Sequence, residues 1–382
     1  MMRLMWKDSP VCDLDPFTPI DVTLLPFTLT ERNVLNFLSE RQMVPNRKHI
    51  REIYAACAIS DHSAEGLLTV CNAVSVTDCY WIKYVDSESW DQVKLYDKQF
   101  STEIANTALS GQSSETLARI ATAEPNLKGA NAKCVARING ELYLKKQMSA
   151  QQYKAELRAS TLLDELKIPH ARYTLQADRD GVRYTLCRLF TDEEHELIHY
   201  RTLMSVCNET QMGVNTYTFK AFYGIDPIRT LQMIIFDCIT HNIDRNRDNL
   251  GLLVHGGKII GHAPLYDHDG CFRATDNGHY YLTNMTFAKS LEWARTQPYW
   301  EEASKPFTEC ELLTTETNEA FLALLKGLRD TRDVSYLCGL EAIKDLHSIP
   351  NTMAMMRQAG ICETPTLSYR DVAQLLIQSN KE

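Results

Sequence analysis

Asp244, Asn249 and Asp267 stand five and eighteen positions apart in the run HNIDRNRDNLGLLVHGGKIIGHAPLYDHDG, residues 241–270. Phosphoryl transfer to a hydroxyl needs a proton acceptor beside the nucleophile, oxygen ligands for Mg²⁺, and positive charge on the phosphates. Asp244 is the candidate acceptor, Asn249 a metal ligand through its amide oxygen, and Asp267 a ligand joining the metal to the β and γ phosphates. A polar helix-to-strand turn uses the same residue types to satisfy its own backbone. Asp269-Gly270 also places a second carboxylate two residues beyond Asp267. The triplet therefore has to be weighed with residues elsewhere in the chain.

Positive charge is supplied upstream. Lys146 alternates with Leu144 and Leu142, so on a strand it shares their face, while Lys145 points the other way. A lysine on an apolar face either snorkels from a sheet edge or reaches a phosphate, and Glu156 on the following segment is a ready ion-pair partner. The loop NLKGANAK, residues 126–133, lies where a phosphate-covering loop belongs. Gly129 permits close backbone approach and Lys133 adds charge, although one glycine is also what an ordinary turn contains.

These groups need elements to hold them. KCVARI and ELYLKK flank Asn139-Gly140, the residue pair of a type I′ hairpin turn. Ser149 and Gln152 make a capping box for a helix running to Lys167, with Tyr153, Glu156, Ser160 and Leu163 on one side. ARYTLQ and VRYTLCRLF form a second hairpin around Asp180-Gly181. Asp226 as N-cap with Pro227 at the first helical position opens a helix to about Thr240, which leads directly to Asp244. Strands first and helices second, with the acids after a helix, predict an α+β, bilobal, kinase-like fold: an N-lobe at 116–192 made of a small antiparallel sheet and one helix, and a helical C-lobe at 193–382.

Residues 1–115 read as an accessory region without chemistry. Thr28 and Glu31 suggest a capping box before a helix carrying Val34, Leu35 and Leu38, and a second helix with Ile50, Ile53 and Tyr54 follows Pro45. The basic start of that second helix, Arg47, Lys48, His49 and Arg51, reads as a solvated charged face.

The stretch from about 125 to 290 resembles the HipA-like serine/threonine kinases, whose catalytic core is related to that of phosphatidylinositol kinases. The GANAK loop before the hairpin, Lys146, D-R-N-R-D-N with Asp244 and Asn249, and APLYD ending at Asp267 carry the resemblance. It implies ATP and Mg²⁺ as cofactors, a protein Ser/Thr hydroxyl as acceptor, and an antitoxin or similar regulator as partner. By position, Asp244 becomes the acid/base, with Lys146 and Glu156 as the catalytic ion pair. Asn249 and Asp267 become the metal ligands, and Gly129, Ala130, Asn131 and Lys133 the phosphate loop. Arg188, Leu189 and Phe190, in a segment ending at Thr191, become the hinge that meets adenine through its backbone. Asn246 stands where the family often has histidine, and Arg245 is closer to the lipid kinases, which keeps a lipid or small-molecule acceptor open. A pseudokinase acting as a nucleotide-binding interaction module is the other alternative. The loop carries no Ser or Thr, so regulatory autophosphorylation there is not implied.

Composition narrows the classes further. A net charge of -9 argues against a general nucleic-acid surface. The twelve cysteines are scattered with no C-x-x-C pair, which suits reduced thiols in a cytoplasm better than a disulfide framework or zinc ribbon. No apolar run approaches a membrane span. His241, His255, His262 and His268 flank the acids without the spacing of a zinc motif, and read as satisfied or exposed side chains.

Overall fold

The structure, a computed structural model, describes residues 2–26, 29–59, 64–96, 102–112, 127–177, 181–272, 279–310 and 367–368. Thr28, Asn126 and Asp180 of the expectations above lie outside the described residues. Main-chain contacts divide the chain into two units. The first comprises 1–153, 172–197 and 254–257, and the second 154–171, 198–253 and 258–382.

The first unit opens with a sheet that the sequence reading did not foresee. Strands β1 (Arg3–Trp6), β2 (Ser9–Leu14), β3 (Phe17–Pro19) and β4 (Tyr80–Lys83) pair antiparallel in the order β3-β2-β1-β4. The strands are short, and the β1–β2 turn passes through Lys7 at φ 51° instead of a glycine or asparagine, so the usual hairpin signal is missing. Helices α1 (Val34–Ser39), α2 (Ile50–Ala56), α3 (Ala64–Val70), α4 (Trp90–Val93) and α5 (Thr102–Ser110) complete this region. At the entry to α1, the Asn33 side chain accepts from the Thr30 N–H at 2.5 Å.

The second sheet of this unit is the one read from sequence. Strands β5 (Lys133–Ile138), β6 (Glu141–Gln147), β7 (Tyr173–Ala177) and β8 (Arg183–Arg188) take the order β5-β6-β8-β7. Asn139 (φ 52°) and Gly140 (φ 87°) make the β5–β6 turn, which sets the register Lys133 opposite Lys146. The two sheets share one apolar core, in which Trp81 from β4 and Trp90 from α4 cluster with Val135 from β5 and Leu142 from β6.

The second unit contains most of α6 (Ala150–Glu165), whose start is fixed by the Ser149–Gln152 capping box. After β9 (His195–His199) come helices α7 (Tyr200–Val206), α8 (Tyr217–Ile225) and α9 (Pro227–Thr240). Asp226 caps α9 by accepting from the Arg229 N–H at 2.9 Å, with Pro227 in the first turn. Strands β10 (Gly251–His255) and β11 (Lys258–His262) follow as a hairpin across Gly256-Gly257, then the small β12 (His279–Tyr280) and β13 (Met285–Thr286) pair. Helices α10 (Phe287–Arg295) and α11 (Trp300–Glu309) pack on α9, which is buried along almost its whole length.

Candidate active site

Helix α9 stops at His241, which takes the left-handed conformation at φ 47° and turns the chain into the loop 242–249. Polar side chains of the loop then satisfy the loop itself. Asn242 Oδ1 accepts from the Asp244 N–H at 3.1 Å, and Asn246 Oδ1 accepts from the Asp248 N–H at 2.8 Å. Asn246 Nδ2 donates to Asp244 Oδ1 at 2.8 Å, while Asn249 Nδ2 donates to the Asp244 carbonyl at 2.8 Å. Asp244 is therefore brought to Asn249 and held by neutral amides, half-buried rather than enclosed.

Below the loop lies a buried charge network. Asp237 on α9 and Arg245 are both fully buried and joined through Nε to Oδ2 at 2.8 Å and Nη2 to Oδ1 at 3.0 Å. Asp237 also accepts from Asn242 Nδ2 at 2.9 Å and from the Tyr280 hydroxyl at 2.7 Å, so all its strong acceptor directions are used. Burial opposes the Arg245 charge, but the Asp237 charge and hydrogen bonds outweigh it and raise the guanidinium pKa. Burial and the Asp237 charge likewise push the Tyr280 phenol far up, which keeps it a donor.

Arg245 is thus an internal residue. Its Nη1 donates to the carbonyls of Asn249 at 2.6 Å and Tyr266 at 2.8 Å, so it binds two loops together and is fully covered.

The second loop, 266–270, lies against the first. The Ile243 N–H donates to the Gly270 carbonyl at 3.3 Å, and a Cβ on Gly270 would sit 2.8 Å from Asp244 Cβ, so only glycine admits this approach. Asp267 is half-buried at φ 57°, whereas Asp269 is buried. Upstream, the Ala171 N–H donates to the Leu265 carbonyl at 2.7 Å and the Leu265 N–H to the Pro169 carbonyl at 3.0 Å, which ties the segment leaving α6 to the approach to Asp267. The Tyr266 hydroxyl donates to the Asp248 carbonyl at 2.9 Å, and Arg201 on α7 grips the Asp248 carboxylate.

The oxygen groups suit Mg²⁺. Asn249 commits its NH₂ to Asp244, which leaves the amide oxygen for a cation, and Asp267 adds one accessible carboxylate. Mg²⁺ typically takes one or two such protein oxygens beside waters and phosphates. Among the described residues no group of three or more His, Cys, Asp or Glu is placed for a metal, so no all-protein cage competes.

In the first unit, Lys133 and Lys146 are cross-strand partners and both are buried, at 8% and 5% exposure. Lys133 Nζ donates to the Lys128 carbonyl, and a Cβ on Gly129 would come within 2.6 Å of that ammonium. The loop is anchored by the basic run called solvated above: Arg47, 2% exposed, donates to the Lys133 carbonyl at 2.6 Å, and the Lys48 N–H to the Ala130 carbonyl at 2.9 Å. No local pattern announced this, because the partners are more than eighty residues apart in sequence. Asn131 sits in the same loop and is half-buried. Lys145 lies over the Tyr184 ring, 4.1 Å from its centroid, on the other face.

In the expected hinge, Arg188 pairs with Glu141 at the surface, the Leu189 N–H is used by the Leu142 carbonyl at 2.9 Å, and Phe190 is half-buried. An adenine there would have to use the remaining backbone groups. Glu156 is fully buried on α6 in the second unit, on the face that carries Ser160 and Leu163. Of the flanking histidines, His262 Nε2 meets the Phe222 carbonyl at 2.9 Å. His241 departs from the expectation: its ring stacks on Phe287 at 4.9 Å, and neither nitrogen finds a hydrogen-bond partner among the described residues.

With the geometry in place, comparison with solved structures identifies the fold. HipA of Shewanella oneidensis MR-1, from a toxin–antitoxin complex of HipA, HipB and operator DNA, aligns over 99% of this chain and 96% of its own at a TM-score of 0.54 and 10% identity. The chain has a HipA-like kinase fold. The proinflammatory kinase CtkA of Helicobacter pylori matches over 65% of this chain and 95% of its own, at a TM-score of 0.31 and 17% identity. No family model matches the sequence, and no curated protein does. Among the described residues no helix is long and apolar enough to cross a membrane.

Proposed function

We propose that the chain is an ATP- and Mg²⁺-dependent kinase that transfers the γ-phosphate to a serine or threonine hydroxyl of a protein, in the cytoplasm. The observation that supports this most is the placement of Asp244: amides fix its carboxylate and backbone, and the carboxylate remains partly open. The HipA-like fold is consistent with that reading.

In this reading Mg²⁺ bound with ATP supplies the cation that offsets charge on the β and γ phosphates. Asn249 and Asp267 hold it through their oxygens. Lys133, Lys146 and the backbone from Gly129 through Ala130 and Asn131 would bind phosphate, with Glu156 as the acidic residue of the catalytic set. The backbone near Arg188, Leu189 and Phe190 would take the base. Asp244 would orient the acceptor hydroxyl and receive its proton as that oxygen bonds to the γ phosphorus and ADP leaves with the bridging oxygen. A HipB-like antitoxin is the class of partner suggested by the HipA complex.

The test is transfer from radiolabelled Mg–ATP, followed by phosphoproteomics of cells expressing wild type beside Asp244→Asn. Wild type should label a discrete protein set, and Asp244→Asn should fold normally and label none of it. Equal labelling by the two proteins would remove Asp244 from the mechanism. Nucleotide-dependent stabilisation without turnover would favour the pseudokinase.

A further inference from the structure

Two groups of contacts join the loop 242–249 to the loop 266–270, and they act at different ends. The first ties Ile243 to Gly270 and Thr240 to Phe272, whose N–H donates to the Thr240 carbonyl at 2.6 Å. That group sets where the loops leave and return. The second is Arg245, whose Nη1 lies on the carbonyls of Asn249 and Tyr266. One of those residues is a candidate metal ligand, and the other is the immediate neighbour of the second, Asp267.

The chemistry of the buried pair suits a spacer for a cation site. A guanidinium is planar and holds several donors in a rigid fork, so one side chain can fix two carbonyls at a set separation. Full burial leaves these bonds unscreened. An unpaired arginine below a metal site would repel the metal, but Asp237 neutralises it with two hydrogen bonds. Asp237 in turn accepts from Tyr280 at 2.7 Å, on β12, thirteen residues beyond Asp267. The pair therefore touches the catalytic loop, the metal loop and the hairpin that follows it.

We propose that Asp237, Arg245 and Tyr280 form a positioning unit that sets the separation of the Asn249 and Asp267 oxygens, and through Tyr280 makes it depend on the placement of the β12–β13 hairpin. All three side chains are fully buried, so the unit acts through the loops it holds. Its role in metal binding rests on the kinase reading above.

The experiment uses the full chain with three variants, Arg245→Lys, Tyr280→Phe and Asp237→Asn. Mn²⁺ with ATP is followed by electron paramagnetic resonance, ATP in excess EDTA by displacement of a fluorescent nucleotide, and the metal-free protein by hydrogen exchange. Arg245→Lys should weaken Mn–ATP about tenfold or more while metal-free ATP binds within twofold of wild type. Tyr280→Phe, which keeps the ion pair, should weaken Mn–ATP about threefold. Amides of 244–249 and 266–270 should exchange faster in both variants while α9 keeps its protection. Uniformly faster exchange, or wild-type Mn–ATP affinity in a folded but less stable Arg245→Lys, would overturn the proposal and leave the pair a stability element. If Arg245→Lys or Asp237→Asn does not fold, Tyr280→Phe decides, and unchanged affinity with unchanged loop exchange overturns the proposal. Failure of wild type to bind Mn–ATP would instead sink the kinase reading, with loop exchange still reporting whether the unit couples the two loops.

Discussion

Asn246 donates to Asp244 Oδ1 at 2.8 Å, which gives the carboxylate a neutral neighbour. An amide fixes the direction of Asp244 without a charge of its own that changes with pH. On the proposed kinase reading, in which Asp244 is the base, Asn246→Ala should leave the fold intact and lower phosphate transfer by roughly ten- to a hundredfold, measured as initial rate at saturating ATP. Arg245→Ala acts differently, since it abandons Asp237 without its cation in a fully buried site. It should lose about 3–5 kcal/mol of stability in chemical denaturation, far more than an exposed ion pair such as Arg188–Glu141 is worth. Residue types made Asp244, Asn249 and Asp267 candidates, but a polar turn uses the same types, so the triplet had to be weighed with the lysines and the hairpin upstream. The same letters could not show that Arg41, Arg47 and Arg245 are internal. Arg41, for example, binds Asp78 and the carbonyls of Ala73 and Tyr80, partners more than thirty residues away, and burial of a charge is decided by such distant partners.

At the level of elements, turns and caps with a local chemical cause were readable. Asn139-Gly140 fixed the β5–β6 hairpin, Ser149 with Gln152 fixed the start of α6, and Asp226-Pro227 fixed the start of α9. The β1–β4 sheet was not readable, since its strands are three to six residues long and one of its turns uses Lys7. Gly140 tests the readable class. It sits at φ 87° with open space where a Cβ would go, so Gly140→Ala costs conformation and nothing else. Thermal or urea unfolding should report a loss of about 1–2 kcal/mol, the price of a side chain in the left-handed region.

For the whole molecule, likeness to HipA across 99% of the chain at 10% identity means that the fold persists while nearly all side chains differ. The pH response then depends on this chain's own burials. Burial holds the His262 imidazole at about 4, against the partial opposition of Asp226 and the Phe222 carbonyl. Its folded pKa is below the unfolded value of roughly 6.5, so the unfolded state binds the extra proton first as pH falls. The contribution is fully present above pH 6.5 and is lost on descending toward about 4. Wild type should therefore lose up to about 2 kcal/mol more than His262→Gln between pH 7 and pH 5, read by urea denaturation at each pH.

Gly270 separates presence of the chemical groups from their use. Its missing side chain is what allows Asp244 Cβ, 2.8 Å from where a methyl would stand, to lie beside the second loop. Replacing it by alanine deletes no carboxylate, amide or lysine and changes no charge. On the proposed kinase reading, Gly270→Ala should lower phosphate transfer while keeping every charged group of the chain, which makes it a control to tell what the protein does by binding from what it does by chemistry.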